Sequence, residues 1–281
     1  MSMKNETALV TGSTSGIGKK IAELFLREGC KVAICSRKEN SVNQTLSEFR
    51  KDFGDSVIGF PCDVSNPKEF KEFVDKVINE FGSIRILVAN AGVNLTYGPF
   101  EHISLEKVSS DAQTVVGINL IGTIYTVAAV LPQMIKQRYG RIVALSGGGA
   151  DRPMEHMTIY SASKGGVNSF CKCLAKELEK KEVKDYDIKI NIFNPGMIKT
   201  NLYKALPVEG WKDEETLSRE SSLVLKYVGT DIEASCSKVI PYVLPPCKKS
   251  GKSFRGFSIK KMISGFKKLR KEMQKMEENK T

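Results

Sequence analysis

A glycine-spaced turn between a strand-like and a helix-like stretch restricts the fold of this chain more than any other feature. Residues 7–10 are apolar, glycines follow at Gly12, Gly16 and Gly18, and an apolar pattern with helical spacing begins at Ile21. Glycines at such a turn permit a tight bend, let a phosphate approach the backbone, and let the helix pack closely on the strand. An ordinary glycine turn has the same spacing, but the position between a first strand and a first helix favours a phosphate-binding turn.

The rest of the chain repeats the alternation of strand and helix. Further strands are predicted at 31–35, 56–62, 85–89, 141–145 and 189–193, and helices at about 40–53, 67–80, 115–136 and 160–180. Short apolar strands that alternate with helices at this spacing predict an α/β fold, a Rossmann-type doubly wound parallel sheet with helices on both faces. In such sheets ligands bind beyond the carboxyl ends of the strands.

Charge divides the sequence into a nearly neutral body and a basic extension. No internal repeat or low-complexity linker precedes residue 245, so we predict a single domain over 1–245 and a C-terminal extension over 246–281. Residues 247–281 hold 12 Lys and Arg against 3 Asp and Glu, whereas the preceding 246 residues hold 31 and 29. Most of the net charge of +11 therefore comes from the extension rather than from the body.

Cysteine usage and apolar runs indicate a soluble protein of a reducing compartment, which we expect to be cytoplasmic. The seven cysteines are odd in number and scattered, so they do not form a disulfide framework. Residues 1–7 lack the apolar stretch of a signal peptide, and the longest apolar run, 118–131, is too short to cross a bilayer. Cys171 and Cys173 have no partner pair at zinc-ligand spacing, so we predict no metal site.

Short motifs that follow the predicted strands occur in a characteristic order. They are Thr11 to Gly18, Asp63-Val64, Asn90-Ala91-Gly92, Asn119 to Gly122, Ser146, Tyr160-Ser-Ala-Ser-Lys164, and Pro195-Gly196 followed by Thr200. In this order and at these intervals they resemble the motifs of the short-chain dehydrogenase/reductase (SDR) family over about residues 5–200. A single motif such as Tyr-x-x-x-Lys is expected by chance in a chain of this composition, but the ordered set is not. The resemblance implies an NAD(P)-dependent enzyme.

The resemblance also implies which residues form the cofactor site. Asp63 accepts a hydrogen bond from the adenine amino group in this scheme, Val64 packs nearby, and Asn90 to Gly92 line the cofactor ribose. The alternative for Asp63 is a helix cap ahead of Pro67. The full cofactor set is Gly12, Ser13, Thr14, Ser15, Gly16, Ile17, Gly18, Ser36, Arg37, Asp63, Val64, Asn90, Ala91, Gly92, Tyr160, Lys164, Pro195, Gly196 and Thr200.

The end of the second strand favours NADP(H) over NAD(H). In this family an acid there binds the ribose 2′-hydroxyl of NAD, whereas an Arg accommodates the 2′-phosphate of NADP. Here the strand ends with Ser36 and Arg37, and the first acid is Glu39. Charge-assisted contacts from a guanidinium contribute about 1.5–3 kcal/mol, or roughly one to two decades of preference. A solvated Arg37 on a loop is the alternative.

Tyr160 and Lys164 have the spacing of an acid/base pair on one face of a helix. A free Tyr, with a pKa of about 10, releases its proton reluctantly near neutrality, and a Lys one turn away favours the phenolate. The resemblance implies that Tyr160 is the catalytic acid/base and that Lys164 assists it and holds the nicotinamide ribose. It further implies that Asn119 supports Lys164 through its backbone carbonyl and a water chain.

Ser146 is the candidate to polarise the substrate oxygen, although its spacing departs from the family pattern. The usual interval of 13 residues before Tyr160 falls on Gly147, whereas Ser146 is 14 residues away. The glycines at 147–149 are flexible enough to absorb one extra residue.

The region after Gly196 diverges within the family because it closes over the substrate. We therefore expect a lid at about 197–225 and a moderately apolar carbonyl or alcohol substrate; simple packing of the same residues on the core is the alternative. His156 lies in a segment that lines the substrate site in relatives, and it contacts either substrate or solvent. The apolar residues of the lid are Met197, Ile198, Leu202, Tyr203, Leu206, Val208 and Trp211.

The basic extension has the pattern of an amphipathic helix. Three interpretations stay open: packing on the body or a partner subunit, binding to an anionic membrane surface, and nucleic-acid binding, for which the signal is not strong. In relatives the helices at 115–136 and 160–180 form subunit interfaces, so we expect a homodimer or homotetramer. The repeating apolar residues are Ile259, Met262, Ile263, Phe266, Leu269, Met273 and Met276.

These features predict an NADP(H)-dependent oxidoreductase that interconverts a small-molecule carbonyl and an alcohol, with Tyr160, Lys164, Ser146 and Asn119 as its catalytic residues. Three alternatives stay open: an NAD(H)-dependent member of the family, a non-catalytic cofactor-binding regulator or scaffold attached through its tail, and an isomerase or dehydratase.

Overall fold

A computed structural model describes residues 3–152, 154–180, 186–200 and 206–278 of the chain. Its strands are β1 (Thr7–Thr11), β2 (Lys31–Ser36), β3 (Val57–Pro61), β4 (Ile86–Ala89), β5 (Thr96–Tyr97), β6 (Tyr139–Leu145), β7 (Asp187–Asn194), β8 (Leu206–Pro207) and β9 (Ser253–Arg255). Its longer helices are α1 (Gly16–Arg27), α2 (Glu39–Phe53), α3 (Pro67–Phe81), α4 (Leu105–Val116), α5 (Gly122–Lys136), α6 (Thr158–Leu178) and α7 (Glu214–Val228). Two short helices, α8 (Ile232–Cys236) and α9 (Ile240–Val243), and a final long helix, α10 (Ile259–Glu278), complete the chain.

Seven strands form one parallel sheet in the order β3-β2-β1-β4-β6-β7-β9. The chain winds outwards from β1 in one direction through β2 and β3, and in the other through β4, β6 and β7. The prediction of a doubly wound parallel sheet is therefore confirmed. The strand order reverses between β1 and β4, which is the position where such sheets bind their ligands.

The strands are apolar throughout because both faces of the sheet are covered. Successive side chains point to opposite faces, so Leu9 joins one buried core while Ala8 and Val10 join the other. The first core includes residues of α3, α5 and α6, such as Phe70, and the second includes residues of α1, α8 and α9, such as Phe25. The site described below thus stands on a rigid three-layer scaffold.

The sheet continues past residue 245, where the sequence predicted the end of the body. β9 pairs with β7 between 192–194 and 253–255, and the Phe254 ring stacks on Tyr242 at 3.6 Å and on Phe193 at 5.0 Å between ring centroids. The predicted boundary is therefore corrected to follow β9, and only α10 extends beyond the sheet. A second, two-stranded sheet joins β5 to β8.

The helical run Leu105–Lys136 combines α4, a π-helical turn at Gly117–Ile121, and α5. Its 32 residues are long and apolar enough to cross a bilayer by length and composition. The apolar run 118–131 alone was predicted to be too short to do so. In the structure, Val127, Val130 and Met134 are buried against the sheet, as in the core helix of an α/β domain.

Arg141 is a fully buried charge that ties three segments together. Its guanidinium donates to the Asp187 carboxylate at 2.7 Å, to the Asp187 carbonyl at 2.6 Å and to the Pro245 carbonyl at 3.1 Å. Burial alone would raise the pKa of Asp187, but the hydrogen bond and charge of Arg141, with Lys248 and Lys189, hold that pKa below its usual range. The pair joins β6 and β7 to the segment before β9.

Replacing Arg141 by Ala should lower the free energy of unfolding by about 3 kcal/mol, because Asp187 and two carbonyls lose their donor inside the protein. Urea unfolding of the two proteins measures the difference. Arg50→Ala, which removes an exposed Arg without an ion pair in the described structure, should change stability by less than about 0.5 kcal/mol. Equal effects of the two substitutions would contradict the structural role of Arg141.

Candidate functional site

The turn after β1 and the loop after β4 are joined by hydrogen bonds at the point where the strand order reverses. The Thr11 hydroxyl accepts from the backbone N–H groups of Asn90 and Ala91, both at 3.0 Å. The Asn90 amide donates to the carbonyls of Thr11 at 2.8 Å and Gly12 at 3.1 Å. These bonds place the Asn90-Ala91-Gly92 motif directly beside the glycine turn.

The three glycines of the turn occupy positions that other residues cannot take. Gly12 and Gly16 have φ angles of 62° and 54°, in the left-handed region that favours glycine. A Cβ atom placed on Gly18 would lie 2.4 Å from the Asn90 amide nitrogen and 2.5 Å from the Gly12 carbonyl oxygen. The turn therefore forms a cradle of bare backbone.

The N-terminal end of α1 faces this cradle and favours an anion. Its N-cap residue, Ser15, makes no side-chain capping bond, and the first turn carries no acidic residue. Helix N-termini bind phosphates through free N–H groups and the helix dipole. Thr200 lies above the turn, because a Cβ on Gly16 would be 3.3 Å from its methyl carbon. The donor set at this end fits the pyrophosphate of a dinucleotide.

Ser13 has a different role from the other residues of the turn. Its hydroxyl donates to the Val10 carbonyl at 2.7 Å and accepts from the Cys35 N–H at 3.0 Å, and its own N–H donates to the Cys35 carbonyl at 3.1 Å. The hydroxyl donor is therefore used on β1 and the N–H donor on β2, and Ser13 fastens the turn to both strands. The geometry supports a structural role for Ser13 rather than the predicted contact with the cofactor.

The residues predicted to select the cofactor lie at the carboxyl end of β2. Ser36 is half-buried and Arg37 is exposed. In the part of the chain that the structure describes, no ion pair or hydrogen bond engages the Arg37 guanidinium, so it is available to an anionic group beside the glycine turn.

Asp63 does not cap a helix, so the alternative explanation for this residue does not hold. The N-cap of α3 is Asn66, whose side chain accepts from the Glu69 N–H at 3.3 Å. One carboxylate oxygen of Asp63 accepts from the N–H and the hydroxyl of Ser65, at 2.9 and 2.7 Å. Val64 is buried beside Gly122, where a Cβ would lie 2.8 Å from its methyl group.

Tyr160 and Lys164 lie one helical turn apart in α6, and both are buried. The Lys164 ammonium donates to the Leu145 carbonyl at 2.9 Å and lies 5.9 Å from the centroid of the Tyr160 ring. A Cβ placed on Gly92 would lie 3.3 Å from the Lys164 nitrogen. Burial lowers the pKa of Lys164 to about 8.

Asn119 lies in the π-helical turn, a feature that is frequent at functional sites. Its amide accepts from the Val93 N–H at 2.8 Å and donates to the Val93 carbonyl at 2.9 Å and to the Ser163 hydroxyl at 3.0 Å. Ser163 in turn donates to the Tyr160 carbonyl at 2.7 Å. The Asn119 side chain thus positions the first turn of α6. Its backbone carbonyl accepts from the Thr123 hydroxyl at 2.7 Å, and its support of Lys164 stays a prediction.

Ser163 is a site residue that the sequence did not single out. It is one of two serines between Tyr160 and Lys164, and nothing in the sequence distinguishes it from Ser161. Only the structure shows that Ser163 is buried between the π-helical turn and α6.

Gly147 explains the position of Ser146. A Cβ placed on Gly147 would lie 2.3 Å from the Tyr160 hydroxyl oxygen, so that hydroxyl rests directly on bare backbone. Ser146 is buried, and its hydroxyl oxygen has no hydrogen-bond partner within the described structure. Gly147, at the interval usual in the family, therefore occupies the position beside Tyr160, and Ser146 precedes it by one residue. An unsatisfied buried hydroxyl is suited to a ligand oxygen.

The described part of the predicted lid closes on a wall of three rings, Tyr97, His156 and Trp211, which we call the aromatic wall. The Trp211 ring lies 4.5 Å from His156 and 5.5 Å from Tyr97, and Val208 packs on Gly98. Leu202 and Tyr203 lie outside the described residues. Of the other lid residues, Ile198 is buried and Met197 accepts from the Thr230 N–H through its carbonyl.

A narrow cleft of about 10 Å³ lies between His156, one ring of the aromatic wall, and Tyr160. Its far side holds Asp111, a buried carboxylate that accepts from the Lys107 ammonium and the Thr96 hydroxyl. The remaining lining residues are Asn94, Gly98, Ile103, Val115, Thr158 and Ile159. Neither Tyr97 nor Asp111 carries a signal in the sequence, because Tyr97 comes from a two-residue strand and Asp111 from α4, and both lie outside the motifs.

Comparison with known sequences gives consistent matches. A family model described as short chain dehydrogenase matches residues 6–209. The chain is 33% identical over 236 residues to the (S)-acetoin-forming diacetyl reductase of Staphylococcus epidermidis, covering 84% of each chain. It is 32% identical over 212 residues to dehydrogenase/reductase SDR family member 4 of Sus scrofa, covering 75% of this chain and 71% of the relative.

Solved structures share the fold. Levodione reductase superposes with a TM-score of 0.77 and 23% identity, covering 90% of this chain and 96% of the other. The 3-ketoacyl-(acyl-carrier-protein) reductase of Brucella melitensis, complexed with NADH, superposes with a TM-score of 0.75 and 23% identity, covering 90% and 97%.

Lys164 should lower the stability of the protein without ligand at neutral pH. Its pKa is about 8 in the folded state against an ordinary value of 10.5, so the folded protein binds fewer protons between those values and stability rises with pH there. Lys164→Met removes the cost of burying the charge and should stabilise the protein by about 2 kcal/mol at pH 7, with the gain shrinking towards pH 10.

Urea unfolding at both pH values measures this effect. Lys172→Met, an exposed position on the same helix, provides the matched control and should show no such pH dependence. A Lys164→Met protein that is less stable than the parent at pH 7 would refute the assignment of a costly buried ammonium.

Proposed function

Because the chain belongs to the short-chain dehydrogenase/reductase family, and is an oxidoreductase acting on CH–OH or C=O groups with NAD(P), we propose that it interconverts a small carbonyl compound and its alcohol with NADP(H), using Tyr160 as the acid/base. One observation carries the proposal. The Tyr160 hydroxyl rests on Gly147, with the unpartnered Ser146 hydroxyl as the preceding residue and the Lys164 ammonium on the same helix.

The cofactor site is formed by the glycine turn, the 90–92 loop and the 195–200 segment. The bare-backbone cradle and the uncapped start of α1 support a dinucleotide there. Bound nicotinamide supplies the hydride in reduction and accepts it in oxidation. All proton movements and the orientation of the substrate fall to side chains of this chain.

Tyr160 donates its proton to the substrate oxygen during reduction and accepts it during oxidation. Lys164, with a pKa of about 8, keeps its positive charge at neutral pH and stabilises the phenolate that remains after proton transfer. The Ser146 hydroxyl donates a hydrogen bond to the same substrate oxygen and thereby stabilises the charge that develops on it. Asn119 and Ser163 hold the first turn of α6, so that the Tyr160 hydroxyl stays in place.

Arg37 supports the choice of NADP(H). Its guanidinium is exposed at the end of β2, and among the described residues no carboxylate competes for it. Ser36 offers a hydroxyl beside it. A phosphate on the ribose would gain charge-assisted bonds here, whereas no acid is present at this position to accept bonds from an unmodified ribose.

The cleft supports a small substrate with both polar and apolar parts. His156 of the aromatic wall lines the cleft together with the apolar Ile103 and Val115, while Thr96 and Asp111 add polar lining. The diacetyl reductase relative points to vicinal diketones as the first compounds to test. A homodimer or homotetramer and a cytoplasmic location stay predictions, the former to be measured by light scattering.

Substitutions at Tyr160 and Ser146 should separate chemistry from binding. Tyr160→Phe should lower kcat for diacetyl reduction by about 10²–10⁴, because the proton donor is lost, with little change in the dissociation constant of NADPH. Ser146→Ala should lower kcat by about 10²–10³ through loss of one hydrogen bond to the developing oxyanion. Steady-state kinetics and fluorescence titration provide the two measurements.

A shifted serine provides a sharp control. The double variant Ser146→Ala, Gly147→Ser restores the interval usual in the family, yet it should stay inactive because the new side chain occupies the space of the Tyr160 hydroxyl. Near-normal turnover of Ser146→Ala, or rescue by the double variant, would remove Ser146 from the mechanism.

Arg37 should determine the cofactor preference. Arg37→Ala should lower the preference for NADPH over NADH by about 10- to 100-fold, because the 2′-phosphate loses its charged partner. Side-by-side fluorescence titrations of both cofactors measure the change. Arg50→Ala, also exposed and close in sequence, should leave the preference unaltered; equal affinity of the parent protein for both cofactors would overturn the NADP(H) assignment.

A further inference from the structure

The last helix, α10, is fixed on the body rather than loosely attached. It packs along α7, with Leu269 buried in the contact. A Cβ placed on Gly265 would lie 2.1 Å from the Tyr227 carbonyl oxygen, so the two helices touch at the level of their backbones. The direction in which the other sides of α10 point is therefore set by the fold.

One side of α10 presents an apolar stripe to the surroundings. Ile259, Ile263, Phe266 and Met273, which we call the α10 stripe, follow one another at steps of four, three and seven residues and so share one face of the helix. Their exposed fractions are 46%, 50%, 48% and 40%. Half of the eight exposed large apolar side chains of the described structure lie on this one helix, which marks it as a contact surface.

Positive charge lines the stripe. At 100° per residue, Lys260, Lys267 and Lys271 fall on the side of the helix opposite the contact with α7, and Arg270 falls within the stripe itself. The other three lysines fall on the side of the helix opposite the stripe: Lys261, Lys268 and Lys275. All these cations are exposed, and no ion pair engages any of them within the described residues. The only acid between 259 and 275 is Glu272, which is half-buried on the side of α7. The cations are Lys260, Lys261, Lys267, Lys268, Arg270, Lys271 and Lys275.

We propose that this outer side of α10 binds the surface of an anionic lipid membrane. The stripe enters the boundary between headgroups and acyl chains, and the flanking cations contact the lipid phosphates and carboxylates. A helix with Phe and Ile on one side and Lys and Arg beside them has the composition of helices that lie in the plane of a membrane surface. Anionic headgroups attract each such cation.

Charge favours a membrane over the other partners. A second copy of the chain would bring two sets of unpaired cations together around the stripe, and the repulsion would oppose the contact. Nucleic acid would satisfy the cations but leave the apolar side chains in water. An anionic membrane satisfies both features at once. This inference goes beyond the proposed oxidoreductase function and does not depend on it.

Vesicle sedimentation with the full-length protein tests the proposal. The protein should bind phosphatidylcholine vesicles that contain phosphatidylserine, should not bind pure phosphatidylcholine vesicles, and should bind more weakly at high salt. Ile263→Ser with Phe266→Ser should lower the partition coefficient at least about tenfold, and so should the triple variant Lys267→Glu, Lys268→Glu, Lys271→Glu.

A control with the same change in net charge keeps the test specific. The triple variant Lys51→Glu, Lys68→Glu, Lys136→Glu alters exposed lysines without ion pairs elsewhere on the body and should bind nearly as well as the parent. All variants should keep the reductase rate measured without vesicles, because none touches the site, and this rate shows that they are folded. If the parent protein itself showed no reductase activity, this would contradict the proposed function and would leave the membrane proposal unaffected.

Other outcomes would overturn the proposal. These are absence of vesicle binding, equal binding to neutral vesicles, or binding that the α10 variants do not reduce. Light scattering provides a further check: if Ile263→Ser with Phe266→Ser converts an oligomer into a smaller species, the stripe is covered by another copy of the chain. Binding of RNA that depends on the α10 lysines, without binding of vesicles, would also refute it.

Discussion

The hydrogen bonds between Thr11 and Asn90 hold together the two halves of the site. They span the point where the strand order reverses. The pairing of β1 with β4 ends at Val10 and Val88, and these hydrogen bonds continue the connection past that end. Fixing Asn90 also fixes Gly92. A Cβ placed on Gly92 would lie 3.2 Å from the Asn119 amide oxygen and 3.3 Å from the Lys164 nitrogen. From there the bonds of Asn119 and Ser163 reach Tyr160. One connected set of contacts therefore joins the phosphate-binding turn to the catalytic helix.

Two polar groups proposed to act in this site lower the stability of the folded protein. Lys164 is buried as a cation, which lowers its pKa, and the Ser146 hydroxyl is buried without a partner. Both arrangements cost free energy in the protein without ligand. The dense apolar packing on both faces of the sheet offsets these costs, because the site stands at the ends of strands whose own side chains are almost wholly buried.

Much of this architecture could be predicted from the sequence, because apolar runs and glycine spacing are local signals. The six longer strands and the motifs after them belong to this class. β9 was missed, because only Phe254 of its three residues is buried and lysines surround it, so its strand character comes from pairing with β7. Ser13 resembles its neighbours in the turn, and only its contact with Cys35 distinguishes it. The aromatic wall likewise depends on a pairing of two-residue strands that leaves no periodic pattern.

The segment that begins at Pro195 has contacts at both ends of the site. Thr200 lies over Gly16 at the start of α1, and further along the chain β8 leads to Trp211, which packs on His156 beside the cleft. This part of the chain thus borders the phosphate-binding turn at Thr200 and the cleft at Trp211. A dinucleotide bound below Thr200 would complete one side of the site before the carbonyl compound enters, so we expect an ordered mechanism in which the dinucleotide binds first.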